Sequence, residues 1–231
     1  MTSLPLYQLA EMINGWHAGL PSAVCSDLQS RAHRIVLAPG QRIFSRGDKS
    51  DGIYRVLEGC VRLSGISSDS RETILDFYGP RVWFGEVSAL DGLPRGHDVE
   101  ACAPTVILHV AGADLAAALQ RHPELSRALL NLMALRTRLL LTALESYSVQ
   151  SLEPWLANRL LMLAATHGVP TARGPRIDLH LSQEVIAQLI GATRQRVNQI
   201  CKKWTNQGLI EQEHGCIVLL DRKELERLAR L

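Results

Sequence analysis

From Arg34 to about His109 the apolar residues come in short runs, some alternating with polar positions, and Gly, Pro and Asp punctuate them. Ile35 to Leu37, Arg42 to Phe44, Ile53 to Leu57, Val61 to Leu63 and Thr73 to Phe77 are separated by Pro39-Gly40, Gly47-Asp48, Glu58-Gly59 and Ser68-Asp69-Ser70. Strands and tight turns at this spacing predict an antiparallel barrel or sandwich, with a late strand around Val106, Ile107, Leu108 and Val110. The rhythm changes at Asp114. Leu115 to Leu119 reads as a short helix, and the residues from Pro123 to about Ser148 contain no internal Gly or Pro, which predicts a helix about 38 Å long. That helix carries two apolar stripes. One is Leu125, Leu129, Leu132, Leu139 and Ala143; the other is Leu130, Met133, Leu140, Leu141, Leu144 and Tyr147. A helix apolar on two sides must be covered on two sides. One side can lie on the barrel and the other on the same helix of a second copy, so the first stripe is the candidate seam of a homodimer. Burial of both stripes within one chain is the alternative. Around Ser151 to Glu153 the chain is expected to hinge, and Pro154 to His167 to form a further helix.

Between 182 and 204 the apolar residues Ile186, Leu189, Ile190, Val197, Ile200 and Trp204 recur at helical spacing on both sides of a turn at Gly191. Ser182 and Thr193 stand where N-caps belong. At 100° per residue Val197, Ile200, Cys201 and Trp204 share one side of the second helix, which leaves Gln195, Asn198, Gln199, Lys202 and Lys203 on the other. This is the pattern of a helix-turn-helix, whose second helix presents a polar, basic face able to reach base edges and phosphates of double-stranded DNA. An ordinary helical hairpin with a solvated face is the plain alternative. The next residues along the chain argue against it: Leu209-Ile210, a polar turn at Glu213-His214-Gly215 and the apolar run Cys216 to Leu220 predict a small hairpin, the wing of a winged helix. Asp221 with Glu224 then resembles a capping box opening a last short helix.

Charge locates the same surface. The chain holds 25 Lys and Arg against 23 Asp and Glu, so affinity for nucleic acid must come from a local patch. From Arg173 to Lys203 the acidic residues are Asp178 and Glu184, against Arg173, Arg176, Arg194, Arg196, Lys202 and Lys203. An N-terminus without a basic start and apolar core, and the lack of any long apolar stretch, predict a cytoplasmic protein without a membrane span. Cys25, Cys60, Cys102, Cys201 and Cys216 are scattered, which predicts buried thiols and no metal cluster. A haem ligated by His17, His97, His109 or His122 stays open as an alternative.

Barrel, long helix and winged helix in this order resemble the Crp/Fnr family of bacterial transcription regulators, from about residue 25 to the C-terminus. The motifs are Pro39-Gly40-Gln41 with Ile43-Phe44, then Gly47-Asp48, then Tyr54 to Leu63, similar to the family's cyclic-nucleotide-binding roll. Phe84-Gly85-Glu86-Val87 followed by Arg95 is similar to its phosphate-binding cassette. The resemblance implies an α+β chain: an N-terminal β-roll with a helical leader over 1–122, a dimerisation helix over 123–150 and a winged helix-turn-helix over 151–231. It also implies RNA polymerase as a partner and a non-covalent effector, with cyclic AMP, cyclic GMP and cyclic di-GMP as candidates. The cassette's chemistry is intelligible: a buried arginine and backbone amides beside a glycine hold a phosphodiester, and a carboxylate accepts from a ribose hydroxyl. Gly85, Glu86, Val87, Arg95 and Gly96 are therefore the candidate effector residues. Glu86 and Arg95 pairing with each other in an unliganded roll is the alternative.

Three positions depart from the nucleotide-binding pattern. Gly96 stands where Ser or Thr is usual, His97-Asp98 follow where small or apolar residues are common, and Leu140-Leu141 replace the base-contacting hydroxyl pair of the cyclic-AMP receptor, with Thr142 adjacent. The cysteine cluster of the oxygen-sensing Fnr branch is absent, since Cys25 alone precedes the roll. On the reader, Arg194, Gln195 and Gln199 match the family's base-contact positions. Ser182, Gln183, Arg196, Asn198 and Lys202 complete the candidate contact set for a palindromic operator. A ligand-independent or haem- or redox-sensing regulator is the nearest rival. A nucleotide-binding subunit without DNA function would have no use for residues 182–220, and an enzyme of cupin type would need a His-x-His, which the chain lacks.

Overall fold

The computed structural model describes residues 4–66, 72–149 and 152–230. The Ser68-Asp69-Ser70 turn, Ser151 of the expected hinge and the Tyr147 side chain lie outside that description. The chain is α+β and divides into two compact units, residues 14–134 and residues 1–13 with 135–231. In chain order α1 (Leu6–Asn14) and α2 (Ser22–Ser30) precede β1 (His33–Leu37), β2 (Arg42–Phe44), β3 (Gly52–Glu58), β4 (Val61–Ile66), β5 (Glu72–Tyr78) and β6 (Trp83–Phe84). After them come α3 (Glu86–Asp91), β7 (Asp98–Ala101), β8 (Thr105–Ala111), α4 (Gly112–Arg121) and α5 (Pro123–Val149).

The roll consists of two four-stranded antiparallel sheets, ordered β1-β8-β3-β6 and β2-β7-β4-β5. Strands adjacent in space but distant in sequence carry it: β1 pairs β8 from His33↔His109 to Leu37↔Thr105, and β4 pairs β7 from Val61↔Ala101 to Ser64↔Asp98. The alternating apolar positions of these strands meet in one core of Leu37, Tyr54, Val56, Val61, Phe84, Val99, Ala101 and Ile107. Both sheets contribute, as expected for a roll closed by burying one face of each.

Helix α5 runs 27 residues, close to the length its uninterrupted pattern predicts. The single chain covers the first of its two stripes and leaves most of the second open. Leu125, Leu129 and Leu132, assigned to the dimer seam, are at most 2% exposed in the single chain, and Leu139 and Ala143 are half-buried. Leu130, Leu140, Leu141 and Leu144 of the other stripe are 57–70% exposed. The reason is plain: periodicity identifies two apolar faces of one helix but cannot say which is covered by the chain's own fold.

In the second unit α6 (Leu152–His167) is buried along most of its length, including Leu156, Leu160, Leu161 and Leu163. Burying Asn158 there costs less because its Nδ2 donates to Ala229 O at 2.8 Å and to Pro154 O at 3.2 Å, although among the described residues Oδ1 meets no donor. Next come β9 (Gly168–Val169), β10 (Arg176–Ile177), α7 (Gln183–Ile190), α8 (Arg194–Asn206), β11 (Ile210–Glu213), β12 (Cys216–Leu219) and α9 (Arg222–Leu228). The four strands form one sheet in the order β11-β12-β10-β9. Asp221 caps α9 as expected, accepting from Glu224 N–H at 3.0 Å. Among the described residues no helix is long and apolar enough to cross a membrane.

Candidate functional site

Two places in the molecule gather the residues singled out by sequence. The first is the pair α7 and α8. The Ser182 hydroxyl accepts from Val185 N–H at 3.2 Å and the Thr193 hydroxyl from Arg196 N–H at 3.3 Å, so both expected caps satisfy amides that a helix start leaves open. Gly191, in the left-handed region at φ 66°, closes α7 with its N–H donating to Ala187 O. Ile186, Ala187, Leu189 and Ile190 of α7 and Val197, Ile200, Cys201 and Trp204 of α8 are buried, which fixes the rotation of α8. Arg194, Gln195, Arg196, Gln199 and Lys202 are consequently exposed, with no acidic residue in the first turn of α8. Ser182, Gln183 and Asn198 are half-buried, and Gln183 Nε2 donates to Asn198 Oδ1 at 3.1 Å, a link that joins the two helices. Lys203 is exposed on the open face as expected and there pairs with both carboxylate oxygens of Glu153 at 2.9 Å.

Beside the reader, β11 and β12 form a two-residue hairpin whose turn, His214 (φ 49°) and Gly215 (φ 83°), has both central residues left-handed. This is the turn whose twist matches paired strands. Arg173 bridges to Glu211 and Glu213 of β11, the former at 2.5 Å and the latter at 2.7 Å.

The second place is the turn after β6. Gly85 sits at φ 85° and caps α3, and a Cβ there would lie 2.8 Å from Arg95 Nη1, so both backbone shape and space select glycine. Glu86 and Arg95 are each 2% exposed, while Val87 is exposed. The Arg95 guanidinium donates through Nη1 to Gly85 O at 2.6 Å and through Nη2 to Asp51 Oδ1 at 2.6 Å and Gly52 O at 2.7 Å. Its Cζ lies 4.3 Å from the centre of the Phe44 ring. The backbone of Arg95 is held to the Gly47-Asp48 turn by N–H to Asp48 O and O to Gly47 N–H, both 2.8 Å. Among the described residues Arg95 Nε finds no acceptor, so the guanidinium keeps unused donor capacity.

The carboxylate on Arg95 is therefore Asp51, which the sequence did not single out. Asp51 also accepts from the Tyr54 hydroxyl at 2.5 Å, and its carbonyl lies 3.2 Å from His109 Nε2, whose ring stacks on Tyr54 at 4.6 Å. Burial pushes the Asp51 carboxyl up, but the Tyr54 hydroxyl and the Arg95 guanidinium outweigh it and hold it below the usual range. Burial and the Asp51 hydrogen bond push the Tyr54 phenol up. The Gly47-Asp48 and Asp51-Gly52 punctuation marks this stretch as a turn, but nothing in it announces a partner so far along the chain. Among the described residues no group of three or more His, Cys, Asp or Glu could hold a metal. Of the four haem candidates, His122 lies 3.1 Å from Asp27 Oδ2, and burial lowers His17 and His97.

A model of the cyclic nucleotide-binding domain matches residues 34–122, and one of the Crp-like helix-turn-helix domain matches residues 156–228. The global nitrogen regulator of Synechocystis sp. (strain ATCC 27184 / PCC 6803 / Kazusa) is 33% identical over 162 residues, covering 68% of this chain and 71% of that one. The chain belongs to the Crp/Fnr family. It is a DNA-binding transcriptional regulator of that type. This Crp/Fnr regulator is also 29% identical, over 91% of its length and 93% of the relative's, to the CRP-like cAMP-activated global transcriptional regulator of Mycobacterium tuberculosis (strain CDC 1551 / Oshkosh). Its fold matches the structure of FixK2 from Bradyrhizobium japonicum with a TM-score of 0.75 at 22% identity, over 85% of this chain and 96% of that one.

Proposed function

We propose that this regulator binds a palindromic duplex operator as a homodimer, and that a cyclic nucleotide seated on Arg95 and Glu86 sets its affinity. The observation that carries the reading is the buried Arg95 guanidinium, kept in the roll beside Gly85 with an unmet Nε–H. A phosphodiester brings one negative charge, as Asp51 does, so effector binding is read as an exchange of anions on one guanidinium. Glu86, opening α3, supplies the acceptor for a ribose hydroxyl. The likeness to a relative named as cAMP-activated supports cyclic AMP first, with cyclic GMP and cyclic di-GMP as the other candidates. The two readers of a dimer, placed one helical turn of DNA apart, suit an operator of two half-sites, and contact with RNA polymerase would follow at a promoter. A ligand that prefers one arrangement of the readers shifts the population toward it by no more than its difference in affinity.

A second reading has its own observation. Asp51 already satisfies the charge of Arg95, so the roll would also be stable without an effector. Calorimetric titration with the three nucleotides separates the two. Binding of one of them, abolished in Arg95→Ala together with its effect on operator affinity, supports the effector reading. No heat with any of them, and operator affinity independent of them, would support the ligand-free one.

A further inference from the structure

We propose that Cys60 and Cys102 are a dithiol that a hydroperoxide converts to a disulfide within one subunit, an oxidant-responsive site on the roll. The β4–β7 ladder pairs Leu63 with Val99, Arg62 with Glu100 and Val61 with Ala101. One further step of this antiparallel register sets Cys60 directly opposite Cys102. The step is real in the backbone: Cys102 N–H donates to Cys60 O at 2.9 Å. Directly opposed residues of such a ladder point to the same face with Cβ atoms about 4.5–5.5 Å apart and Cα atoms at most about 5.5 Å apart. That Cα spacing lies inside the range of about 4.4–6.8 Å that a disulfide spans, and the Cβ atoms must close to about 3.5–4.5 Å as the bond forms. The Cys60 thiol donates to Val61 O at 3.6 Å, and each of the two thiols shifts the titration of the other. The scattered spacing of the cysteines along the chain hides this pair, because only strand register creates it.

The pair is asymmetric in a way that suits the chemistry. Cys60 is buried and pinned at its backbone, its N–H donating to Thr105 Oγ1 at 3.1 Å and its carbonyl accepting from the same hydroxyl at 3.0 Å. Cys102 is exposed, on the bend between β7 and β8. The hydrogen bond to Cys102 and then burial push the Cys60 thiol up. The same bond from Cys60, helped by the Arg62 guanidinium, pulls the Cys102 thiol down against burial and Glu100. The outer thiol is thus the more acidic of the two, an arrangement in which the accessible sulfur is the nucleophile. By contrast Cys201, packed beneath the reader, is pushed up by burial to about 11.

The reaction balances in two steps. The Cys102 thiolate attacks one oxygen of the hydroperoxide, the O–O bond breaks, the departing oxyanion takes a proton from solvent, and Cys102 becomes a sulfenic acid. The Cys60 sulfur then attacks the Cys102 sulfur; the S–O bond breaks, and hydroxide leaves with the Cys60 proton as water. The two thiols lose two electrons in all, and the peroxide is reduced.

The test is to treat the reduced full-length protein with hydrogen peroxide, then to read intact mass, free thiols and a non-reducing peptide map. We expect two of the five thiols to be lost, with a mass loss of two hydrogens. One cross-linked peptide should join Cys60 to Cys102, and dithiothreitol should reverse the change. In Cys60→Ser the outer thiol should stop at a sulfenic acid that dimedone traps, and in Cys102→Ser the inner thiol should stay unreacted. Gain of two oxygens on Cys102 with Cys60 still a thiol, a cross-link between subunits, or no reaction at all would each overturn the proposal. The wild-type peptide map decides alone should either variant fail to fold.

Discussion

A guanidinium buried to 2% stays in a fold only where acceptors surround it, and at Arg95 these are two carbonyls and Asp51. The next residue offers a direct way to ask whether an anion also uses it. Among the described residues no heavy atom lies within 4 Å of a Cβ added at Gly96. Gly96→Thr should therefore fold with an unchanged melting temperature. It should also tighten the cyclic nucleotide by about tenfold, the worth of one hydrogen bond to a charged group. Calorimetry of the folded variant checks this, and an unaltered Kd would place the nucleotide away from this residue. A second residue sets an acid limit. Hydrogen bonds from Arg31, Arg121 and His122 hold Asp27 down to about 2, with Arg31 the main cause against a smaller effect of burial. A depressed carboxyl stabilises above its unfolded value, near 4, and loses that contribution as pH falls through about 2. Asp27→Asn should lower the melting temperature at neutral pH, and the gap to the wild type should close as the pH approaches 2. A gap constant across pH would mean packing and not charge.

At the scale of elements, legibility in the sequence tracked how local the determining interactions are. The caps at Ser182, Thr193 and Asp221 and the buried stripe of α8 depend on residues a few positions apart, and all of them stand where the pattern put them. Asp51 on Arg95 and Cys60 opposite Cys102 depend on strand pairing across the roll, so no spacing rule reaches them. The pairing of Lys203 with Glu153 on α6, which leaves Lys203 exposed, is likewise a contact between residues far apart in the chain. What α8 leaves open makes a two-part prediction. Gln195 and Gln199 replace the Glu and Arg typical of the cyclic-AMP receptor branch, and Gln pairs bidentately with adenine. Gln199→Ala should relax one base position per half-site at a cost of about 1–3 kcal/mol, whereas Lys202→Ala should weaken all sequences alike and reduce the salt slope by about one. Binding measured on a panel of operator variants over a salt series distinguishes the two, and equal effects on every sequence from both substitutions would make Gln199 a backbone contact.

For the whole molecule the open matter is what covers Leu130, Leu140, Leu141 and Leu144, which helical spacing sets on one side of α5 and which the single chain leaves 57–70% exposed. Four large aliphatic side chains along one helix are more apolar surface than a lone helix face ordinarily shows to water, and a second copy meeting it through the same face gives the two-fold arrangement a palindrome needs. A pair of substitutions separates this face from the stripe that carries Leu125, Leu129 and Leu132. Leu141→Asp adds a charge where the single chain is open, so its own fold should be disturbed by no more than about 0.5 kcal/mol. In a dimer the same charge would be buried without a partner. The variant should sediment as a monomer and lose binding to the palindrome while the secondary structure is retained. Leu132→Asp puts the charge at a position that is 0% exposed within one chain, so it should unfold the protein instead of separating subunits. A Leu141→Asp protein that stays dimeric, or a Leu132→Asp protein that is folded and monomeric, would return the interface to the other stripe.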